Sequence, residues 1–216
     1  MTLSQIDTIL ANIVVLLGIE GSSSLSGQEI ASILGDADVQ ALGQPAQHMQ
    51  ITSLREQVRV SIGGGRFIFE DRSGDPPKGR LAEITSDFVR LFSSKGVDVF
   101  RAYGFNFQIA FDAPGPALAA ALVMERFVKA DELKRRGSIS LNGAGLRLYF
   151  DAAEAKCDLR IEPRESDPTA PRFFSHVNYN YDLAGKHFPP VDTLKSDFLG
   201  KWNVFTDLVE RLLVEP

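Results

Sequence analysis

The chain has 216 residues, of which 44% are hydrophobic and 24% are charged, and its formal net charge is −5. This composition excludes a largely disordered chain, and the acidic balance argues against a general nucleic-acid binder, which usually carries a basic face. The single cysteine, Cys157, excludes an internal disulfide, so a reducing cytoplasm is the simplest compartment.

The N-terminal region carries no recognisable targeting signal. Residues 1–10 contain no Lys or Arg, and the apolar run at residues 13–17 is far shorter than the roughly 20 apolar residues that span a bilayer. We therefore expect a soluble cytoplasmic protein with no membrane segment. The same apolar run fits either a helical face or a buried strand over residues 12–20, and we favour the strand because the run is continuous and largely β-branched.

Signals for a short helix, a hairpin and a longer helix follow along the chain. Residues 26–34 begin with a candidate N-cap and end before a glycine, which predicts a short helix. Alternating apolar residues at 58–62 and 66–71, separated by three glycines, predict a β-hairpin. Apolar residues at helical spacing predict a helix over Arg80–Ser94, which Gly96 ends.

The longest predicted strand covers residues 97–112. From Tyr103 onward, aromatic and aliphatic residues alternate with small or polar ones, among them Asn106 and Gln108. This pattern is typical of an antiparallel strand with one buried face. A helix is then predicted from residue 116 to about residue 136.

The last third of the chain predicts an antiparallel meander followed by a helix. Strand-like runs at residues 138–141 and 146–151 flank an Asn-Gly pair, which is the strongest short-range signal for a hairpin. Further runs lie at residues 155–162 and 173–182, and residues 191–214 repeat apolar side chains at helical spacing.

The order of these elements predicts an α+β fold. Grouped strands with interspersed helices favour a largely antiparallel twisted sheet with helices packed mainly on one face, ending in a C-terminal amphipathic helix. We expect a single domain over residues 1–216. Any subdivision is expected to follow residues 1–46 as a lead-in, 47–136 as a first half, and 137–216 as meander plus helix.

Motifs for catalysis and metal binding are absent from the sequence. The best metal candidate combines His176, His187 and Asp182, and the best nucleophile–base pair is Cys157 with His176. Loop and strand histidines and a thiol on an apolar strand face are the simpler interpretations. We therefore predict no metal and no cofactor, and a non-catalytic role is favoured.

Two segments carry candidate binding residues. In the run at residues 173–182, His176, Asn178 and Asn180 share one strand face. This face either binds a polar ligand or a partner, or is ordinary solvent-exposed surface. The only tryptophan lies on the wide apolar stripe of the last helix, which covers the sheet or extends a dimer interface. The candidate residues are His176, Asn178, Asn180, Asn106, Gln108 and Trp202.

The leading hypothesis is a non-catalytic cytoplasmic binding protein that acts through protein–protein interaction, with a protein partner or by self-association. One alternative is a small-ligand binder or enzyme with a site in a groove between sheet and helices, which adds Tyr103 and Tyr179 to the polar residues. The other is a nucleic-acid accessory protein that uses Lys134, Arg135 and Arg136, and nucleic acid is the less expected partner.

Overall fold

A computed structural model of the chain describes residues 6–18, 27–34, 48–96, 99–112, 119–128, 131–132, 135, 144–163 and 172–214. The strands are β1 (Asp7–Leu17), β2 (His48–Ser53), β3 (Val58–Gly63), β4 (Arg66–Asp71), β5 (Phe100–Asp112), β6 (Leu146–Ala152), β7 (Ala155–Pro163) and β8 (Arg172–Asp182). The helices are α1 (Gly27–Leu34), α2 (Arg80–Ser94), α3 (Ala119–Phe127) and α4 (Val191–Val214).

The described strands form one sheet in the order β2-β3-β4-β1-β5-β8-β7-β6. Strand pairs β2–β3, β3–β4, β1–β4 and β6–β7 are antiparallel. In these pairs apolar residues face one another, as Ile13 faces Phe69 and Leu148 faces Leu159. The predicted α+β fold, with a largely antiparallel sheet and helices mainly on one face, is confirmed.

The chain divides into two compact units. The first unit contains Met1–Ile9, Phe107–Asn178 and Asn203–Pro216, and the second contains Leu10–Asn106 and Tyr179–Trp202. Strands β1, β5 and β8 and helix α4 each contribute residues to both units. Among the residues that the structure describes, no helix is both long and apolar enough to cross a membrane.

The core of the second unit is aromatic. Phe69 of β4 packs against Phe88 of α2 with ring centroids 5.1 Å apart, and Phe105 of β5 packs against Phe198 of α4 at 5.4 Å. All four rings are fully buried, and burying one such side chain contributes about 1.5–3 kcal/mol. Helices α2 and α4 are therefore held to the sheet by interlocking phenylalanines.

The core of the first unit repeats this arrangement. Phe107 of β5 stacks on Phe205 of α4 at 6.3 Å, and Phe111 stacks on Phe173 of β8 at 5.3 Å. Helix α3 lies against β7 in the same unit. Because Phe107 and Phe111 face the helices, Gln108 and Ala110 of β5 face the opposite side of the sheet.

The N-terminal apolar run is a strand, as the sequence favoured. It forms β1, which pairs with β4 and buries Ile13 and Val15. In the stretch predicted as one helix to residue 136, α3 ends at Phe127, whose ring is 40% exposed, and residues 131, 132 and 135 are helical again. No glycine or proline marks that end in the sequence. The predicted strand at residues 138–141 and its Asn-Gly turn lie outside the described residues.

Gly200 offers a test of helix α4. The residue is exposed inside the helix, and a Cβ added there meets no atom within 4 Å. Glycine in a helix interior is less stable than alanine, so we expect Gly200→Ala to raise the free energy of unfolding by about 0.5–1 kcal/mol. Urea denaturation measures this change, and a loss of stability would contradict the open surroundings of Gly200.

Candidate binding surface on the outer face of the sheet

Strand β7 separates buried apolar residues from exposed charged ones. Its buried residues are Ala155, Cys157, Leu159 and Ile161. Its outward residues are Lys156, Asp158, Arg160 and Glu162. Strand β6 continues this surface, because Tyr149 lies directly opposite Asp158 in the antiparallel register, with Arg147 and Asp151 two residues away on either side.

Ten outward residues of the first unit make up the surface that we call the outer face. It comprises Arg147, Tyr149 and Asp151 of β6, Lys156, Asp158, Arg160 and Glu162 of β7, His176 and Asn178 of β8, and Gln108 of β5. His176, Asn178 and Gln108 are half-buried, whereas the ring of Tyr149 is 69% exposed. Three of the six sequence-predicted binding residues thus lie on the outer face.

Arg147, on the edge strand β6 of the outer face, is held from two sides. Its Nε donates to Oδ1 of Asp158 at 2.9 Å, and its Nη2 donates to Oδ2 at 2.7 Å. The same guanidinium lies 4.7 Å from the ring centroid of Tyr149, a cation–π contact. The carboxylate therefore fixes the arginine, and the arginine fixes the exposed tyrosine ring.

Arg147 and Asp158 shift each other's pKa. The hydrogen bond from Arg147 lowers the pKa of Asp158 below its usual range, and a longer contact from Arg160 at 3.4 Å acts in the same direction. The hydrogen bond to Asp158 correspondingly raises the pKa of Arg147. The arginine–carboxylate pair is therefore fully ionised at neutral pH.

His176 lies beside the charged residues of β7. Burial lowers its pKa below the ordinary value of 6.5, and the positive charge of Arg160 lowers it further. The carboxylates of Asp158 and Glu162 act in the opposite direction but are the smaller effects. His176 is therefore neutral at physiological pH.

The lowered pKa of His176 predicts a pH dependence of stability. The unfolded chain binds this proton more tightly than the folded protein, so His176 stabilises the fold above the unfolded pKa, and this stability is lost as the pH falls through the folded pKa. We expect His176→Gln to flatten the decline in the free energy of unfolding below about pH 6.5. Urea titrations at several pH values measure this slope, with His187→Gln, at an exposed loop histidine, as control. A slope unchanged by His176→Gln would contradict the prediction.

The other three predicted binding residues belong to the second unit. Asn106 donates from Nδ2 to Oδ1 of Asn12 at 2.7 Å, on the side of β5 opposite Phe105. Asn180 is exposed, and Trp202 is buried in α4 with 7% of its surface exposed. Of these three residues, Trp202 therefore belongs to the core and not to an exposed surface.

The tyrosines of the predicted groove do not meet its polar residues. Tyr103 and Tyr179 are buried in the second unit, where Tyr103 stacks on Tyr181 at 4.6 Å and Lys201 of α4 lies 5.4 Å from the ring of Tyr179. Both tyrosines thus face the helices. Asn106 faces the opposite side of the same unit, so these side chains do not converge on one pocket.

The remaining candidates from the sequence have the surroundings of structural residues. Cys157 is buried, and its Sγ lies 3.6 Å from the carbonyl oxygen of Ala155. Across the described ranges, no group of three His, Cys, Asp or Glu residues is placed to hold a metal ion. Of the basic cluster, Arg135 donates to the carbonyl oxygen of Asp131 at 3.3 Å, and Lys134 and Arg136 lie outside the described residues.

Arg147 and Tyr149 were missed as candidates from the sequence. Their signal was present in β6, where both alternate with Leu146, Leu148 and Phe150 and so share one strand face. The alternation within β6 could not show that Asp158 is the partner of Arg147, because Asp158 lies on the neighbouring strand, 11 residues away in the sequence. The chain matches no protein-family model and no curated protein, so the outer face itself carries the functional inference.

Proposed function

We propose that the chain is a non-catalytic cytoplasmic protein that works by binding a protein through the outer face. The observation that carries the proposal is the exposed Tyr149 ring held by Arg147. Tyrosine and arginine are enriched among the few residues that dominate interface energies. A side chain ordered before binding also loses less conformational entropy when the complex forms.

The charge pattern supports a protein partner over nucleic acid or a small anion. The positive residues of the outer face are Arg147, Lys156 and Arg160, and the negative ones are Asp151, Asp158 and Glu162, so three charges of each sign cancel. Binding to phosphates needs a positive excess. Interspersed charges around an aromatic anchor are instead typical of protein interfaces, where they set register and specificity.

Site-specific photo-crosslinking tests this proposal in cells. A photoreactive phenylalanine analogue replaces Tyr149, and in a matched control it replaces Val204, a residue of α4 in the same unit that is 49% exposed. We expect a protein adduct from position 149 and none from position 204. Mass spectrometry identifies the protein in the adduct, which is either another protein or a second copy of this chain.

A binding measurement with the identified protein completes the test. Because truncation of an aromatic anchor removes a hot spot, we expect Tyr149→Ala to weaken the affinity by at least about tenfold and Val204→Ala to leave it unchanged. Absence of any adduct at position 149, or equal affinity of Tyr149→Ala and the unaltered protein, would contradict the proposal.

A further inference from the structure

The charges on the outer face follow an ordered sequence along each strand. Along β7 the outward residues are Lys156, Asp158, Arg160 and Glu162, with signs plus, minus, plus and minus. Along β6 they are Arg147, Tyr149 and Asp151, with a positive charge, a ring and a negative charge. Reversing the direction of either strand therefore exchanges every positive charge for a negative one.

This reversal is what a two-fold axis does to a surface. In a symmetric contact between identical chains, residue i of one copy meets residue j of the other, and j meets i. An axis that lies parallel to the outer face, perpendicular to the strands and above Leu159, places Lys156 against Glu162 of the second copy. By the same operation, Glu162 meets Lys156 of the second copy, so one complementary pair forms twice.

The same axis suits β6. When the axis passes above Tyr149, Arg147 lies near Asp151 of the second copy and the two Tyr149 rings come together. The register sets Tyr149 opposite Asp158, one residue from Leu159. Because residues rise about 3.4 Å along a strand, one axis that is perpendicular to the strands and midway between the two centres passes within about 1.7 Å of each, an offset that long charged side chains span.

Three of the side chains needed for these contacts are available. Lys156, Glu162 and Asp151 are exposed, and none of the three makes an ion pair with another residue in the described part of the chain. The outer face carries no net charge, whereas the whole chain carries −5. A second copy therefore meets a complementary surface here and avoids the general repulsion between two acidic proteins.

We propose that the outer face joins two copies of this chain into a symmetric dimer, with Tyr149 at the two-fold axis and Lys156 paired with Glu162 of the second copy. This inference rests on the proposed function and names its partner. A contact based on strands β6 and β7 lies at the small end of protein interfaces. The dimer is accordingly reversible, and its population rises with protein concentration and falls with added salt.

Charge reversal with rescue by mixing tests the dimer. Lys156→Glu puts two like-charged pairs into each dimer, and Glu162→Lys does the same with positive charges, so each variant alone dimerises at least about tenfold more weakly. Mixing the two variants restores both pairs in a heterodimer, and the double variant Lys156→Glu/Glu162→Lys restores them in a homodimer. Sedimentation equilibrium over about a hundredfold range of concentration measures each dissociation constant.

Each outcome decides the inference. Dimerisation of the unaltered protein, loss in each single variant and recovery in the mixture support the symmetric contact. A monomer at every concentration, or a dimer that is indifferent to both reversals, overturns it. These results leave the proposed function to its own test, because a monomer that is crosslinked at position 149 to a different protein would lose the dimer and keep the binding role.

Discussion

Phe105→Ala is expected to lower the free energy of unfolding by about 3–5 kcal/mol, the largest loss from any single change that we propose. Phe105 is fully buried, and its ring contacts Tyr103 at 5.7 Å, Tyr181 at 5.4 Å and Phe198 at 5.4 Å. Truncation removes these contacts and leaves a cavity, because strand β5 and helix α4 are each fixed by other packed rings. Urea denaturation followed by circular dichroism measures the loss.

Two variants separate the cavity from other effects of the Phe105→Ala substitution. Phe105→Leu keeps most of the side-chain volume, so we expect a smaller loss than for alanine. Phe127→Ala makes the same chemical change at a ring that is 40% exposed, and we expect a loss within about 1 kcal/mol. Similar losses for Phe105→Ala and Phe127→Ala would show that the Phe105 cluster is not the centre of the core.

Local patterns carried enough information to predict most of the elements. Helices α2 and α4 begin and end where the apolar spacing predicts, at Arg80–Ser94 and Val191–Val214, because each has a continuous buried stripe. The end of α3 was not predicted, since the residues after Phe127 contain no breaker. A helix end without glycine or proline depends on tertiary packing, which the local sequence does not record.

The candidate site was predictable only in part, for a related reason. Strand parity correctly placed His176 and Asn178 on one side of β8, because parity is a local property. The contact between Arg147 and Asp158 depends on the register of β6 against β7, which is set by the tight turn between Ala152 and Ala155. The alternation along a strand shows which residues share a face of the sheet. The register between neighbouring strands determines which residues of that face contact each other.

Gly104→Ala is expected to lower the free energy of unfolding by about 1–3 kcal/mol, the second large effect. A Cβ added at Gly104 would lie 2.7 Å from the carbonyl oxygen of Tyr179, closer than real side chains approach. The obstacle is backbone, which cannot rotate away as a flexible side chain does. Urea denaturation of the alanine variant measures the cost.

The sign of the stability change in Gly104→Ala distinguishes a steric contact with the Tyr179 backbone from the intrinsic backbone propensity of glycine. In the absence of a neighbour, alanine would be favoured over glycine inside a strand, as it is inside a helix, because glycine loses more backbone entropy on folding. Gly200→Ala supplies the matched case, since the same methyl group enters open space there. Opposite signs at the two positions are therefore expected. Stabilisation by Gly104→Ala would mean that the backbone near Tyr179 moves aside at little cost, and that glycine is not required for this close approach.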